Sequence, residues 1–447
     1  MGPRLRASLV VCAFLLVVIL LPSRAAAQAD CAALPDWFNG TVPSVPTFEP
    51  KTTCRFQQWA WQAFLGLLDT EQRQPTARYF TWPLPNPTIT DLYCNGFCKI
   101  AYHKPPNPCG GPATQEVVNA TTQPGFVRQD TSGELIDQNG KPVYFTAHVS
   151  PEWVAFFSQE QLFNPNTEAD FDPRSSFPPG AFEIKSSWRI VKGMSQAERA
   201  QYYTTFACVV PEDQTIAPSQ QEIALVGFHI TGGAANHPEL IWATFEHVRN
   251  APDCQETPKA GSWAFYDGKT DCRQTKRCNQ PNPAAGPAYP INVCRQSPSG
   301  GASPAVAREI ASLNASVQAQ LPRDSKLRFY ELVGTVWAAD PSPVAIGTPA
   351  PTVNLQDPAG SPLLANTSLE TFKQNVSCFG CHNSQFPGEF AGLMGNSPVI
   401  YQSKTLFVSH IALFPFFFEA DTRGGKTGCA NTCQGAPATK PSHVPFQ

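Results

Sequence analysis

Charge is scarce in this sequence: 15% of its 447 residues are Asp, Glu, Lys or Arg, the net charge is −3, and no basic run occurs. A nucleic-acid backbone demands a concentrated positive surface, so no nucleic-acid partner is expected. Long apolar stretches are missing too. The run from Leu9 to Leu21 falls short of the ~20 residues a spanning helix needs, and nothing later approaches it. There is no P-loop, no G-x-G-x-x-G after a strand, no G-x-S-x-G elbow and no H-E-x-x-H pair. No fixed-period self-similarity is visible, so a repeat array is not supported.

What the chain does have begins with Arg4 and Arg6 ahead of the short apolar run, then Pro22 and the small residues Ala25, Ala26 and Ala27. This order is that of a secretory signal peptide over residues 1–27, cleaved before Gln28. The mature chain is then expected to be exported, with no membrane span. Its 45 prolines and 30 glycines favour loops and short strands over long helices, while 42% hydrophobic residues still suffice for a globular core.

Cysteine is abundant. Cys12 leaves with the signal, and 14 of the 15 cysteines remain. With Cys378 and Cys381 set aside, the other 12 can form a framework of up to six disulfides in an oxidising compartment. Pairing within the clusters 31/54, 94/98/109, 272/278/294 and 429/433 is the natural expectation. Two clusters hold an odd number, so at least one bond must leave its own cluster.

The fold class expected is α+β: a β-rich, disulfide-stapled lobe over residues 28–340, a Pro-rich linker or loop over 341–365, and a short, mainly helical segment over 366–447. In the lobe, "CRFQQWAWQAFLGLLDT" places Phe56, Trp59, Ala63, Phe64 and Leu67 at helical spacing, and "SPAVAREIASLNASVQAQL" does the same for Val306, Ile310, Leu313 and Val317. "GAFEIKSSWRIV" reads as a half-buried strand with Glu183, Lys185 and Arg189 on one side. "EIALVGFHITGGAANHPELIWATFEHVRN" reads as two neighbouring strands, and "RFYELVGTVWA" as another. Residues 91–140 and 255–301 read as disulfide-pinned loops.

In the C-terminal segment, "ANTSLETFKQNVSCFGCH" has Thr367 three residues before Glu370, a capping-box spacing, then Leu369, Phe372 and Val376 on one helical stripe. The spacing predicts a short helix that delivers Cys378, Cys381 and His382. C-x-x-C-H is the attachment signature of haem c: two thiols add to the haem vinyl groups and the adjacent imidazole takes the proximal iron position. A zinc site would need two further ligands, for which the nearest candidates are Cys94/Cys98 and Cys429/Cys433. A redox pair would want a strand-to-helix junction, and a structural disulfide beside a histidine is the bland alternative.

Through Cys378, Cys381 and His382 the segment resembles the c-type cytochromes. "GFHI" and "HPELIWATFEHVRNAPDC" are similar to segments of large secreted bacterial proteins of the cytochrome c family. The resemblance implies one covalent haem c, a periplasmic or secreted bacterial location, and electron transfer with a redox partner protein. Two other functions stay open: a haem enzyme of peroxidase-like or oxygenase-like type, whose N-terminal lobe forms a distal pocket, and a haem-containing ligand-binding or sensing protein. For the sixth iron position the sequence offers His410, among Phe407, Ile411 and Phe414, or Met394, or no protein ligand. His229, His237, Glu246 and His247 form a second group of potential ligands or acid/base residues, with core or strand-surface roles as the plainer reading.

Overall fold

The computed structural model describes residues 31–39, 53–68, 78–81, 107–112, 115–119, 133–159, 178–211, 213, 215–234, 237–283, 287–297, 303–338, 358–375 and 378. Eight strands form one mixed sheet: β1 (Glu116–Asn119), β2 (Tyr144–Val149), β3 (Phe182–Ile190), β4 (Thr204–Val210), β5 (Ser219–Ala234), β6 (His237–His247), β7 (Tyr330–Ala338) and β8 (Pro358–Gly360). β1 runs parallel to β4, and every other pairing is antiparallel. Because β3 bonds to both β2 and β5, the pairings β1–β2–β3–β5–β4 close on themselves, and β6, β7 and β8 extend the sheet from the later half of β5.

The period-two pattern, shifted in β5 by the irregularity between Leu225 and Gly227, sends Ile184, Trp188, Leu225, Phe228, Ile230, Ile241 and Phe245 into one core. Two helices cover that face, α1 (Thr53–Leu68) and, later in the chain, α4 (Pro304–Gln320). Between them in sequence lie the shorter α2 (Pro151–Gln159) and α3 (Gln196–Arg199). Phe64 stacks on Phe245 at 4.1 Å and Phe56 on Trp337 at 3.9 Å. The helices are joined by a polar bolt: Trp61 Nε1 donates to Asn314 Oδ1 at 2.7 Å, while Asn314 bonds both the carbonyl and the N–H of Leu332. An indole and an amide with partners can be buried at little cost. The single apolar face expected for α1 widens to nearly its whole circumference, since Ala60, Trp61, Leu65 and Leu68 are buried as well.

The opposite face carries a second core of Leu135, Val143, Phe145, Val226, Phe265, Val293 and Leu369, contributed in part by the loops around 264–293 and the segment near 369. Covering both faces corrects the half-buried reading of β3, in which every residue is buried. Arg189 shows how its charge is accommodated: Nε donates to Asp137 at 2.8 Å and Nη1 to Glu198 at 3.1 Å. The short β1 and β8 lie where loop and linker were expected, because three or four residues are too few to display a period.

Among the described residues, four disulfides staple this frame. Cys31–Cys54 and Cys272–Cys278 are local, whereas Cys109–Cys208 and Cys254–Cys294 span 99 and 40 residues. No helix among the described residues is long and apolar enough to cross a membrane.

Candidate functional site

The approach to the cysteine motif is built by residues 361–375, which follow β8 and lie across β3, β5, β6 and β7. Over residues 361–375 a succession of turns stands where the helix was expected to begin, and Cys378 itself is helical. Thr367 does not cap. Its N–H and hydroxyl both go to the carboxylate of Glu246, the former at 2.8 Å. The capping role moves back one residue to Asn366, whose Oδ1 accepts from Ser368 N at 2.9 Å while Glu370 Oε2 accepts from Asn366 N at 2.7 Å. The tertiary partner outcompetes the local one because a buried carboxylate left without donors costs more than a displaced cap.

Asn366, Ser368, Glu370 and Gln374 each find partners, whereas the hydroxyl of Ser361 is buried without one. Asn366 Nδ2 donates to Thr244 Oγ1 and to the carbonyl of Phe245, both at 2.9 Å. The hydroxyls of Ser368 and Ser187 meet at 2.7 Å. Gln374 is held by the loop beside the Cys254–Cys294 bond: its amide donates to Cys294 O at 3.0 Å and accepts from Gln296 N at 3.0 Å. Glu370 also pairs with His229, Oε1 to Nε2 at 2.7 Å, at the partly exposed lip of the interface.

Glu246 and its cross-strand neighbour Glu331 face one another in register, and Arg295 bridges them. Its two terminal nitrogens fork onto Glu246 at 3.3 Å each, one also reaches Glu331 at 3.3 Å, and Nε faces Asp253 at 3.4 Å. Burial holds the carboxyls of Glu331 and Asp253 above their ordinary range against the opposing pull of Arg295.

The histidine group does not converge. His229 and Glu246 share the face under residues 361–375, whereas His247 turns to the other side, stacks on Tyr202 at 3.8 Å, and bonds Gln201 O and Arg249 N. Burial lowers its pKa to about 3. His237 lies in β6. Sequence reading missed His148, whose Nε2 meets the Glu116 carboxylate at 3.0 and 3.2 Å inside the sheet ring. No local signal links two residues 32 positions apart.

Of the motif itself, Cys378 is half-buried, and its Sγ lies 3.9 Å from the carbonyl of the buried Leu364. Cys378 thus returns to a residue 14 positions earlier in the chain. Cys381, His382, Met394 and His410 lie outside the described residues, as do the candidate zinc cysteines Cys94, Cys98, Cys429 and Cys433. The sulfurs of Cys272, Cys278 and Cys294 gather within 4.8 Å, but all three are in disulfides and have no thiolate to offer a metal. No protein-family model, no curated protein and no solved structure matches this chain.

Proposed function

We propose that the chain is an exported haem c protein that passes single electrons to or from a redox partner protein in a bacterial periplasm or at the cell surface. The observation that carries this reading is the run Cys378-Phe379-Gly380-Cys381-His382, with the Sγ of its first cysteine 3.9 Å from Leu364 O. Cys378 and Cys381 would hold the group through thioether bonds and His382 would take the proximal iron position. When bound, the haem supplies reversible one-electron chemistry. The chain's own contribution is to hold the cysteines and to keep water from one side of the group. The four disulfides support an oxidising compartment, where such bonds persist. His410 is the proposed sixth ligand.

The test is to produce the full chain in a host that matures haem c proteins. One haem per chain by pyridine haemochrome is expected, with a haem-staining band that survives denaturation and is lost in a Cys378→Ala, Cys381→Ala variant. A colourless wild-type protein would overturn the reading. His410→Ala should convert a low-spin spectrum into a high-spin one that binds carbon monoxide; a wild type that is already high-spin removes His410 as the ligand.

A further inference from the structure

The sheet beneath residues 361–375 is shaped for them as well as bonded to them. A Cβ on Gly227 of β5 would overlap the hydroxyls of Ser368 and Ser187 and the amide oxygen of Asn366. One on Gly334 of β7 would overlap Ser361 and Leu364. Neither glycine has a positive φ, so an extended strand would accept alanine at both on backbone grounds. What their missing side chains provide is a trough. Ser187, Thr244 and Glu246 line it with polar groups, and Ser361, Asn366, Thr367 and Ser368 fill it, all with 0% exposure.

A connecting segment usually runs over the surface and leaves its polar groups to water. This one is buried from Leu364 to Leu369 and hydrogen-bonded at Asn366, Thr367 and Ser368 in succession, and it is gripped at its far end by the disulfide-stapled loop through Gln374. Such an arrangement defines one position rather than an ensemble. Since Cys378 returns to within 3.9 Å of Leu364 O, releasing Leu364–Ser368 from the trough also releases the first cysteine.

We propose that this trough is the positioning site for the cysteine motif. It seats residues 361–375 before any haem is attached, and Gly227, Ser187 and Glu246 act as positioning residues for Cys378. The purpose assigned to the trough rests on the haem c reading; the seating itself does not.

Hydrogen exchange and haem content, measured on the full chain, separate the two. In the haem-free Cys378→Ala, Cys381→Ala variant the amides of Thr367, Ser368 and Glu370 should remain protected, because their acceptors are Glu246, Asn366 Oδ1 and Asn366 O. Gly227→Ala should speed exchange across 366–374 by at least about tenfold while Ile230–Gly232 and Ile241–Ala243 keep their protection, and should lower covalent haem per folded chain. Ser187→Ala, which only deletes a hydroxyl, should act in the same direction more weakly and serves if Gly227→Ala does not fold. Free exchange of residues 366–374 in the haem-free variant would overturn the proposal. So would folded Gly227→Ala and Ser187→Ala proteins with wild-type exchange and haem content. A wild type that never takes up haem sinks the haem c reading, while the exchange measurements still decide the seating.

Discussion

At the scale of single residues, the sharpest consequences come from charge placed where water does not reach. His247 is neutral in the fold: Nε2 donates to Gln201 O, Nδ1 accepts from Arg249 N, and burial lowers its pKa to about 3 against an ordinary 6.5. A depressed folded pKa contributes stability that is complete above pH 6.5 and is lost as pH falls toward 3, at most about 5 kcal/mol. Denaturant unfolding between pH 7 and pH 4 should show this acid slope, and His247→Phe should flatten it while costing ~1–3 kcal/mol at neutral pH for the two abandoned partners. Arg295 gives the opposite sign. Arg295→Met leaves Glu246, Glu331 and Asp253 without their cation, a cost of about 3–5 kcal/mol. The carboxyls held above their ordinary range favour the fold when protonated, so the variant should lose the least stability near pH 4 and the most near pH 7. An unchanged midpoint across that range would refute the bridging role.

At the scale of elements, the grip on the C-terminal segment depends on a covalent bond elsewhere. Cys254–Cys294 closes a span of 40 residues, and its loss should cost about 3–4 kcal/mol through the freed unfolded chain. Cys254→Ala, Cys294→Ala should also expose the amides near Gln374, whose side chain bonds Cys294 O and Gln296 N. Limited proteolysis near residue 374 measures this directly, and resistance equal to wild type would show that the loop holds without its staple. The helix pair provides a contrast. Trp61→Phe keeps the aromatic contact with Phe245 but removes the donor to Asn314, which retains its two bonds to Leu332, so ~1 kcal/mol is expected by thermal unfolding.

At the scale of the whole molecule, the sheet, its two covered faces and the staples make one frame, to which Cys378 is tied through Leu364. The mature protein should start near Gln28 and hold no free thiol, with the framework cysteines paired and Cys378 and Cys381 in thioether bonds. N-terminal sequencing, with thiol titration under denaturing and non-reducing conditions, checks both statements, and several titratable thiols would contradict the second.

The sequence by itself determined the elements long enough to show a period. Phe56 to Leu67 and Val306 to Val317 show helical spacing, although only the second helix buries a single side, and the runs that became β5, β6 and β7 are rich in the branched and aromatic residues that fit a pleated surface. The C-x-x-C-H run is legible in the same way, because its residues lie within five positions of one another. Only the tertiary structure decided whether a spaced pattern is used locally or across the molecule. Thr367 and Glu370 have the spacing of a cap, but Thr367 belongs to Glu246, 121 residues away, because an unsatisfied buried carboxylate outweighs a local hydrogen bond. The same holds for Gly227: its strand accepts any small residue, and the lack of a side chain gains its meaning only when Ser368 and Asn366 arrive from the other end of the chain.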